Sequence, residues 1–458
     1  MLAALLPIAT MLVALLIGAA LDALTPESIV IAMLAAASVA GVVAVRQGAT
    51  WDDIQRATAE QVARVLPALL VLLAIGALIA TWMLSGTIPY LVAWGVRLVQ
   101  PEWLALTAFL AAALMSTCTG TSWGSAGTIG VAMMGTAAVL DVSLPVVAGA
   151  VISGAYFGDK MSPLSDTTIV AALAAEVDVY AHIRHMVVTA GPSFLVAAAV
   201  FAMFGGASAA ESAATASAFL TELESAFRLH AAVLLPPLVV LVGVWRRLPS
   251  VLAVALSSLV AGGLAVLLQG RAPLTVLTAA VSGVRAPMVE AASVHSADFV
   301  RLVERGGMQS MTFTFVIVFA AFLLTGAMQV SGALDRLLAR LLATVRSAFG
   351  LVAATMAAGL TLIGLTSHAS VTMLVVGGLV RDAYRERGLP PQLLSRSMED
   401  SVTITEVLMP WTVSAVYMAT TLGVPTVAYA PWAVFCWMGP VMSLAVAGVR
   451  RSPSGSER

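Results

Sequence analysis

Long apolar runs separated by short polar breaks make up almost the whole chain. Runs that predict membrane helices cover roughly 2–21, 28–45, 66–83, 103–117, 126–140, 144–157, 184–204, 230–245, 250–268, 311–331, 349–365, 369–380 and 426–447. A full span needs ~20 apolar residues, and several of these fall short. The short pieces near 86–98, 126–157, 333–343, 369–380 and 402–420 predict half-helices or re-entrant segments. Irregular backbone at bilayer depth survives only where protein or a wet cavity covers it, so Ser, Thr, Gly and Pro should gather at such breaks. Pro163 and Pro410 stand at two of them. The runs are continuous, without the short alternating segments of an outer-membrane barrel, and this predicts helices.

Two of the breaks look like one device built twice. Thr121-Ser122-Trp123-Gly124-Ser125 is followed by Gly158-Asp159-Lys160-Met161-Ser162-Pro163-Leu164-Ser165-Asp166-Thr167-Thr168. Thr366-Ser367-His368-Ala369-Ser370 is followed by Leu394-Ser395-Arg396-Ser397-Met398-Glu399-Asp400-Ser401-Val402-Thr403. Ser85-Gly86 recurs as Ser331-Gly332 after 246 positions, TSxxS after 245, and Asp166 pairs with Asp400 at 234. Helices 2–21 and 28–45 then correspond to 230–245 and 250–268. Chance matching in an apolar alphabet is the bland alternative, but three matches in one order favour duplication. Duplicated polar breaks in apolar segments mark secondary transporters with a site between two repeats. The expected fold is therefore an all-α polytopic membrane protein with two inverted-topology repeats, broken helices and re-entrant hairpins. Residues 1–204 form the first repeat, 205–229 a linker, 230–449 the second repeat and 450–458 a cytoplasmic tail.

Composition strengthens this picture. The 458 residues are 60% hydrophobic and 10% charged, against ~25% charged in soluble domains. A net charge of -1 gives no footprint for nucleic acid. Cys118 and Cys436 lie in apolar segments, without disulfide or zinc spacing. No basic residue precedes the first apolar run, so a retained first helix is expected in place of a cleaved signal. Arginine placement sets orientation. Arg46, Arg56, Arg64, Arg246, Arg247, Arg381, Arg385, Arg387, Arg450 and Arg451 mark cytoplasmic loops, whereas Asp22, Glu27 and the acidic linker mark the outside. Inversion places loop 269–308 outside although it carries Arg271, Arg285, Arg301 and Arg305, so arginine counting opposes inversion there.

Candidate chemistry lies in the breaks. Lys160 is the only lysine. A buried ammonium can lose its proton where an arginine keeps its charge, so Lys160 reads as the partner of a site carboxylate. Asp159, Asp166, Glu399 and Asp400 are the main acids, and an ionisable group at bilayer depth costs at least ~2.5–3.5 kcal/mol. A partly buried carboxylate can hold either a proton or a hard cation, and that exclusion would support exchange. Thr121, Ser122, Ser125, Ser162, Ser165, Thr167 and Thr168 supply neutral oxygens, as do Thr366, Ser367, Ser370, Thr403 and Thr405; hard cations prefer such ligands. Capping of a new helix competes with ligation for Asp166. His368 stands where the first copy has Trp123. It could titrate near neutrality, although a hydrogen-bonded core histidine is the plainer reading. His182 and His185, beside Arg184, read as interfacial anchors, and Trp411 as packing at a helix break. Proton coupling is expected from Asp159, Asp166, Asp400, Lys160 and His368.

These same residues resemble the NhaC family of sodium/proton antiporters. Ser153 through Thr168 looks very like that family's most characteristic stretch. His182-Ile183-Arg184-His185-Met186, Leu394-Ser395-Arg396 with Glu399-Asp400, Pro410-Trp411 and Thr421-Leu422-Gly423-Val424 are similar too, over roughly residues 70–445. The resemblance implies the ion-transporter superfamily fold of two inverted repeats, each with a re-entrant hairpin. It implies exchange of sodium for protons, or of organic acids in some relatives. Three positions depart from the pattern: Ile169 and Thr412 where family members carry Asn, and Val402 where they carry Gly. Losing two carboxamides removes cation ligands.

The first functional reading is therefore exchange of cytoplasmic Na+ for external H+ by alternating access, with no cofactor beyond the transported ions. The second is proton- or sodium-coupled transport of a small organic anion or amino acid, held at half-helix N-termini near Ser122 and Ser367 with help from Arg396. An intramembrane protease is disfavoured, because Trp123 and Tyr156 occupy positions where the protease motifs need Gly. A channel is disfavoured because no pore-loop repeat recurs fourfold. The chain is thus read as no enzyme. Its expected setting is a bacterial inner membrane, crossed many times, with lipid and a small cation or organic solute as partners and a homodimer as an open assembly.

Overall fold

The computed structural model describes residues 2–21, 25–204, 209–289, 296–332, 336, 345 and 347–449, and no strand occurs among them. Among the described residues, seven helices are long and apolar enough to span a membrane, or up to ten if each sharply bent helix pair counts as one span. The chain is a multi-pass α-helical membrane protein.

The first half opens with α1 (Leu2–Ala20), α2 (Pro26–Arg46) and the long α3 (Trp51–Leu84), followed by the short α4 (Thr87–Leu98). Then come α5 (Leu104–Thr119), α6 (Ser122–Ser125), a π-helical turn (Ala126–Gly130) and α7 (Val131–Val139). The half closes with α8 (Leu144–Met161), α9 (Asp166–Ala174) and α10 (Val179–Met203). Within the expected linker, α11 (Ala209–Ala226) is a helix, and its end meets the following segment at 91°.

The second half has α12 (Leu235–Trp245), α13 (Ser250–Leu267), α14 (Pro273–Ser282), α15 (Ala297–Val303) and α16 (Thr312–Val330). After it come α17 (Ala348–Thr366), α18 (Ala369–Glu386), α19 (Pro391–Ser401), α20 (Val413–Leu422), α21 (Thr426–Tyr429) and α22 (Val434–Val449). The half-helix expected at 333–343, the tail 450–458 and the acids Asp22 and Glu290 lie outside the described residues.

Packing is reciprocal across the halves. Helix α2 lies along α16, and α13 lies along α3, with α3 and α16 in contact between them. Helix α1 backs α2, and α12 backs α13. The other body is built from α5, α8, α10 and α17–α22. Its tightest contact is α5 against α8, where small residues let the backbones touch. A Cβ at Gly154 would fall 2.1 Å from the Phe109 carbonyl oxygen, and one at Gly158 only 2.4 Å from the Thr117 nitrogen.

Some stretches are more structured than their apolar runs suggest. In the 269–308 segment Arg285 and Arg301 are exposed, whereas Arg271 and Arg305 are partly buried. Helix α14 and the turn before α16 fold it back on α3, where the Gly307 N–H donates to the Gly76 carbonyl at 2.6 Å, while α15 packs on α7 and α11. Phe299, Leu302 and Val303 are buried, and Arg301, Glu304 and Arg305 line a cavity of about 530 Å³ with Asp141 and Thr420. Segment 126–157 is broken into a π-helical turn, the short α7 and α8, which runs on to Met161, and 369–380 continues as α18 to Glu386; neither counts among the seven long apolar spans.

Candidate functional site

Two helical hairpins carry the TSxxS segments to one place. Helix α5 ends at Gly120 in the left-handed region (φ 69, ψ 27), and Thr121 then turns extended (φ -146, ψ 120) to start α6. Helix α17 ends at Ser367 (φ 53, ψ 23), and His368 turns extended (φ -144, ψ 112) to start α18. The two tips share one backbone conformation, and it sets a register the motif did not. By that geometry His368 matches Thr121, not Trp123, and TSxxS is offset by two residues. Only Gly adopts the left-handed region without strain, so Ser367 is the costlier copy.

Each hairpin tip lies beside a broken helix. Between α8 and α9 the chain unwinds at 162–165, and a Cβ on Gly120 would collide with Leu164. Between α19 and α20 it unwinds over 402–412, bending 48°, and Trp411 Nε1 donates to the Gly364 carbonyl at 2.7 Å. Helices α8 and α19 end at Met161 and Ser401. Their ends pair Asp159 with Glu399, Lys160 with Asp400, and Asp166 with Glu406, all 240 positions apart. The pairing of Asp166 with Asp400 is therefore corrected. Glu406, absent from the sequence-based candidates, was readable as the second member of an acidic pair spaced by seven in both halves.

A cavity of about 790 Å³ lies between the two bodies. Thr121, Ser122, Trp123, Asp159, Asp166, Thr167, Ser367, His368, Ser370 and Glu406 line it, with Ile169 and Ser414. Pro67, Val71 and Ile75 of α3 and the stretch 247–251 form the facing wall. Asp159 is buried; its Oδ2 accepts from Ser122 Oγ at 2.7 Å and its Oδ1 has no hydrogen-bond partner. Glu406 accepts from Ser414 Oγ at 2.5 Å and Tyr156 Oη at 3.3 Å. Thr412, the Asn departure, caps α20 and donates to the Glu406 carbonyl oxygen at 2.5 Å. Trp123 stacks on Tyr417, with centroids 4.4 Å apart and planes 14° apart, and the Tyr417 hydroxyl donates to the Trp123 carbonyl.

Other candidates lie off the cavity. Lys160 is fully buried and forms an ion pair with Asp400, whose Oδ2 lies 4.0 Å from Arg396 Nε. Glu399 is fully buried without a hydrogen-bond partner. Ser125 Oγ donates to the Thr121 carbonyl at 2.9 Å, and Ser162 Oγ accepts from the Leu164 N–H at 3.3 Å. Thr366 bonds Thr372, Thr403 donates to Met373 sulfur, and Thr405 bonds the Ser401 carbonyl. The cap of α9 is Ser165, which accepts from Thr168, while exposed Asp166 stands in the first turn. Thr168 Oγ1 ties the ends of α8, donating to the Asp159 and Lys160 carbonyls at 3.2 Å. His368 lines the central cavity, and its Nδ1 has no hydrogen-bond partner. His182 is no interfacial anchor: it is fully buried, with Nδ1 2.7 Å from Ser395 Oγ.

A family model described as the Na+/H+ antiporter family matches residues 2–175 and 154–449. A Haemophilus influenzae protein named an uncharacterized Na(+)/H(+) antiporter is 42% identical over 96% of this chain and 93% of its own. The Na(+)/H(+) antiporter NhaC of Alkalihalophilus pseudofirmus is 35% identical over 86% of this chain and 84% of its own. The malate-2H(+)/Na(+)-lactate antiporter of Bacillus subtilis is 30% identical over 87% and 84%. Duplicated hairpin tips, buried acids and end-to-end similarity converge: the chain is an NhaC-type member of the Na+/H+ antiporter family, a membrane transporter and not an enzyme.

Proposed function

We propose that this protein exchanges cytoplasmic Na+ for external H+ across a bacterial inner membrane. The observation that carries the reading is the free Oδ1 of buried Asp159 at the wall of the central cavity. A buried carboxylate oxygen without a donor is costly unless a cation or proton meets it. Ser122, Thr121, Asp166 and Glu406 line the same cavity and would complete an oxygen-rich site for a hard cation. The cavity reaches Arg247, Leu248, Pro249 and Ser250. Arg246 and Arg247 mark that loop as cytoplasmic, so the site is open inward. The matched hairpin tips and broken helices support two halves of inverted topology that alternate this access. If more protons than sodium ions move per cycle, the membrane potential adds ~2.3 kcal/mol per net charge per 100 mV.

Volume favours a second reading. A cavity of about 790 Å³ falls in the range for small organic ligands. The N-termini of the helices starting at Ser122 and Ala369 face it, and helix N-termini attract carboxylates. The relative named for malate and lactate exchange fits this alternative. Proteoliposomes with a trapped pH dye separate the two. Sodium added against a proton gradient collapses it under the first reading. No response to sodium, with a response to malate or lactate, would replace the first reading with the second.

A further inference from the structure

The least ordinary element of the fold is α19. Ser395-Arg396-Ser397-Met398-Glu399-Asp400-Ser401 is polar at all but one position, yet each of its residues is fully buried. Some of its polar groups have partners: Asp400 pairs with Lys160, and the Ser397 and Ser401 hydroxyls donate back to helix carbonyls. Neither carboxyl oxygen of Glu399 has a hydrogen-bond partner. Nor does it line the central cavity, whose buried acids are Asp159 and Glu406.

We propose that Glu399 carries the proton of the exchange, at a place separate from the oxygens that hold the cation. This rests on the cation/proton exchange proposed above. A sodium ion at Glu399 would need several oxygen ligands, and Glu399 does not line the central cavity. A proton needs only one oxygen and removes the charge that burial penalises. The charged groups that act on it are Lys160 and Asp159 of α8 and Asp400 of α19, with the Thr403 hydroxyl beside it. At one remove, the packed elements carry His182 of α10 and Cys436 of α22 near Lys160, His185 near His182, and Tyr384 of α18 near Arg396. Helix α9 carries Asp166 in its first turn, at the central cavity, and α17 has no titratable side chain.

The same elements place polar groups between Glu399 and the loop before α10. His182 Nδ1 lies 2.7 Å from Ser395 Oγ. Glu399 follows Ser395 by four residues, so it lies on the same helix face about 6 Å further in. His182 sits just inside the start of α10, beside the loop where exposed Glu176 pairs with Arg381 at 2.6 Å and Arg385 at 2.5 Å. The α18 arginines that it pairs with mark that side as cytoplasmic. On release the proton leaves the Glu399 carboxyl, and a carboxylate remains. A cation arriving at Asp159 adds positive charge near Glu399 and favours that release. Cation and proton then exclude each other through charge, across the Lys160–Asp400 pair, and not by competing for one oxygen.

Two fluxes from the same proteoliposomes test this: radioactive sodium counterflow against unlabelled sodium, which needs no proton, and sodium uptake driven by a pH gradient. Glu399→Gln keeps the shape of the side chain and removes its titration. The expected result is retained counterflow with loss of proton-driven uptake, and Glu399→Asp restores coupling with a displaced pH profile. Proton-driven uptake at wild-type rate in Glu399→Gln overturns the assignment. Loss of both fluxes in Glu399→Gln also overturns it, because the proton and cation sites would then not be separate. Wild type showing counterflow but no proton-driven uptake would overturn the exchange itself, and the assignment with it.

Discussion

The Lys160–Asp400 pair lies at 0% exposure on both sides and joins the two halves of the chain. Removing one partner of such a pair leaves a buried uncompensated charge and costs ~3–5 kcal/mol. Its surroundings decide where in that range each variant falls. With Lys160→Met, Asp400 keeps Arg396 at 4.0 Å, which places the loss near the low end, about 3 kcal/mol. With Asp400→Leu, Lys160 and Arg396 lose their shared carboxylate together, and the loss moves toward about 5 kcal/mol. Replacing both residues removes the charge pair as a unit and is often close to neutral, so the double variant should recover at least ~2 kcal/mol relative to the summed single losses. The assay is reversible unfolding of the purified protein in mixed micelles by SDS titration, followed by tryptophan fluorescence. Single losses under about 1 kcal/mol, the size of an exposed pair, would refute the reasoning. Simple additivity in the double variant would refute it too.

Other substitutions probe separate links. Gly158→Ala forces a Cβ to within 2.5 Å of the Ala113 carbonyl and 2.4 Å of the Thr117 nitrogen, so α5 and α8 must part at a cost of ~1–3 kcal/mol; an unchanged melting temperature would contradict that contact. Trp123→Ala removes the stack on Tyr417 and lowers stability by ~0.5–1.5 kcal/mol beyond the lost area; the double-mutant cycle with Tyr417→Ala measures that coupling, and a zero value would deny it. Ile169→Asn puts a carboxamide oxygen on the cavity wall in place of an apolar side chain. The sodium concentration for half-maximal current on a solid-supported membrane should fall. A rise would show that Ile169 does not border the cation's site.

Much of the architecture was legible in the chain because lipid imposes a simple rule: apolar helices span, and irregular backbone gathers where polar residues do. The unwound stretches at 162–165 and 402–412 lie where Ser162-Pro163 and Pro410 announced them. Lys160 was read as the partner of a site carboxylate; its partner is Asp400, which does not line the central cavity. Register was harder. The match of TSxxS to TSxxS is two residues out, because the tips are fixed by the left-handed residue, Gly120 in one and Ser367 in the other, and not by the serines. Glu406 was missed because Asp400 offered a nearer match to Asp166, and only the helix ends at Met161 and Ser401 set the 240-residue register. His182 was misread since a histidine beside Arg184 suggests an interface, whereas its ring turns inward to Ser395. Patterns give the face of a helix that avoids lipid; they do not say which polar groups on it face water and which face each other.

The central claim is that Asp159 holds the transported cation. Ligand binding to the folded state raises stability by about 2.7 kcal/mol at a hundredfold excess over Kd, so melting curves of the detergent-solubilised protein across a sodium series, at constant ionic strength with choline, read the site directly. Wild type should melt at progressively higher temperature as sodium replaces choline, while Asp159→Asn should show no sodium-dependent rise. An equal rise in Asp159→Asn would place the cation elsewhere and contradict the account.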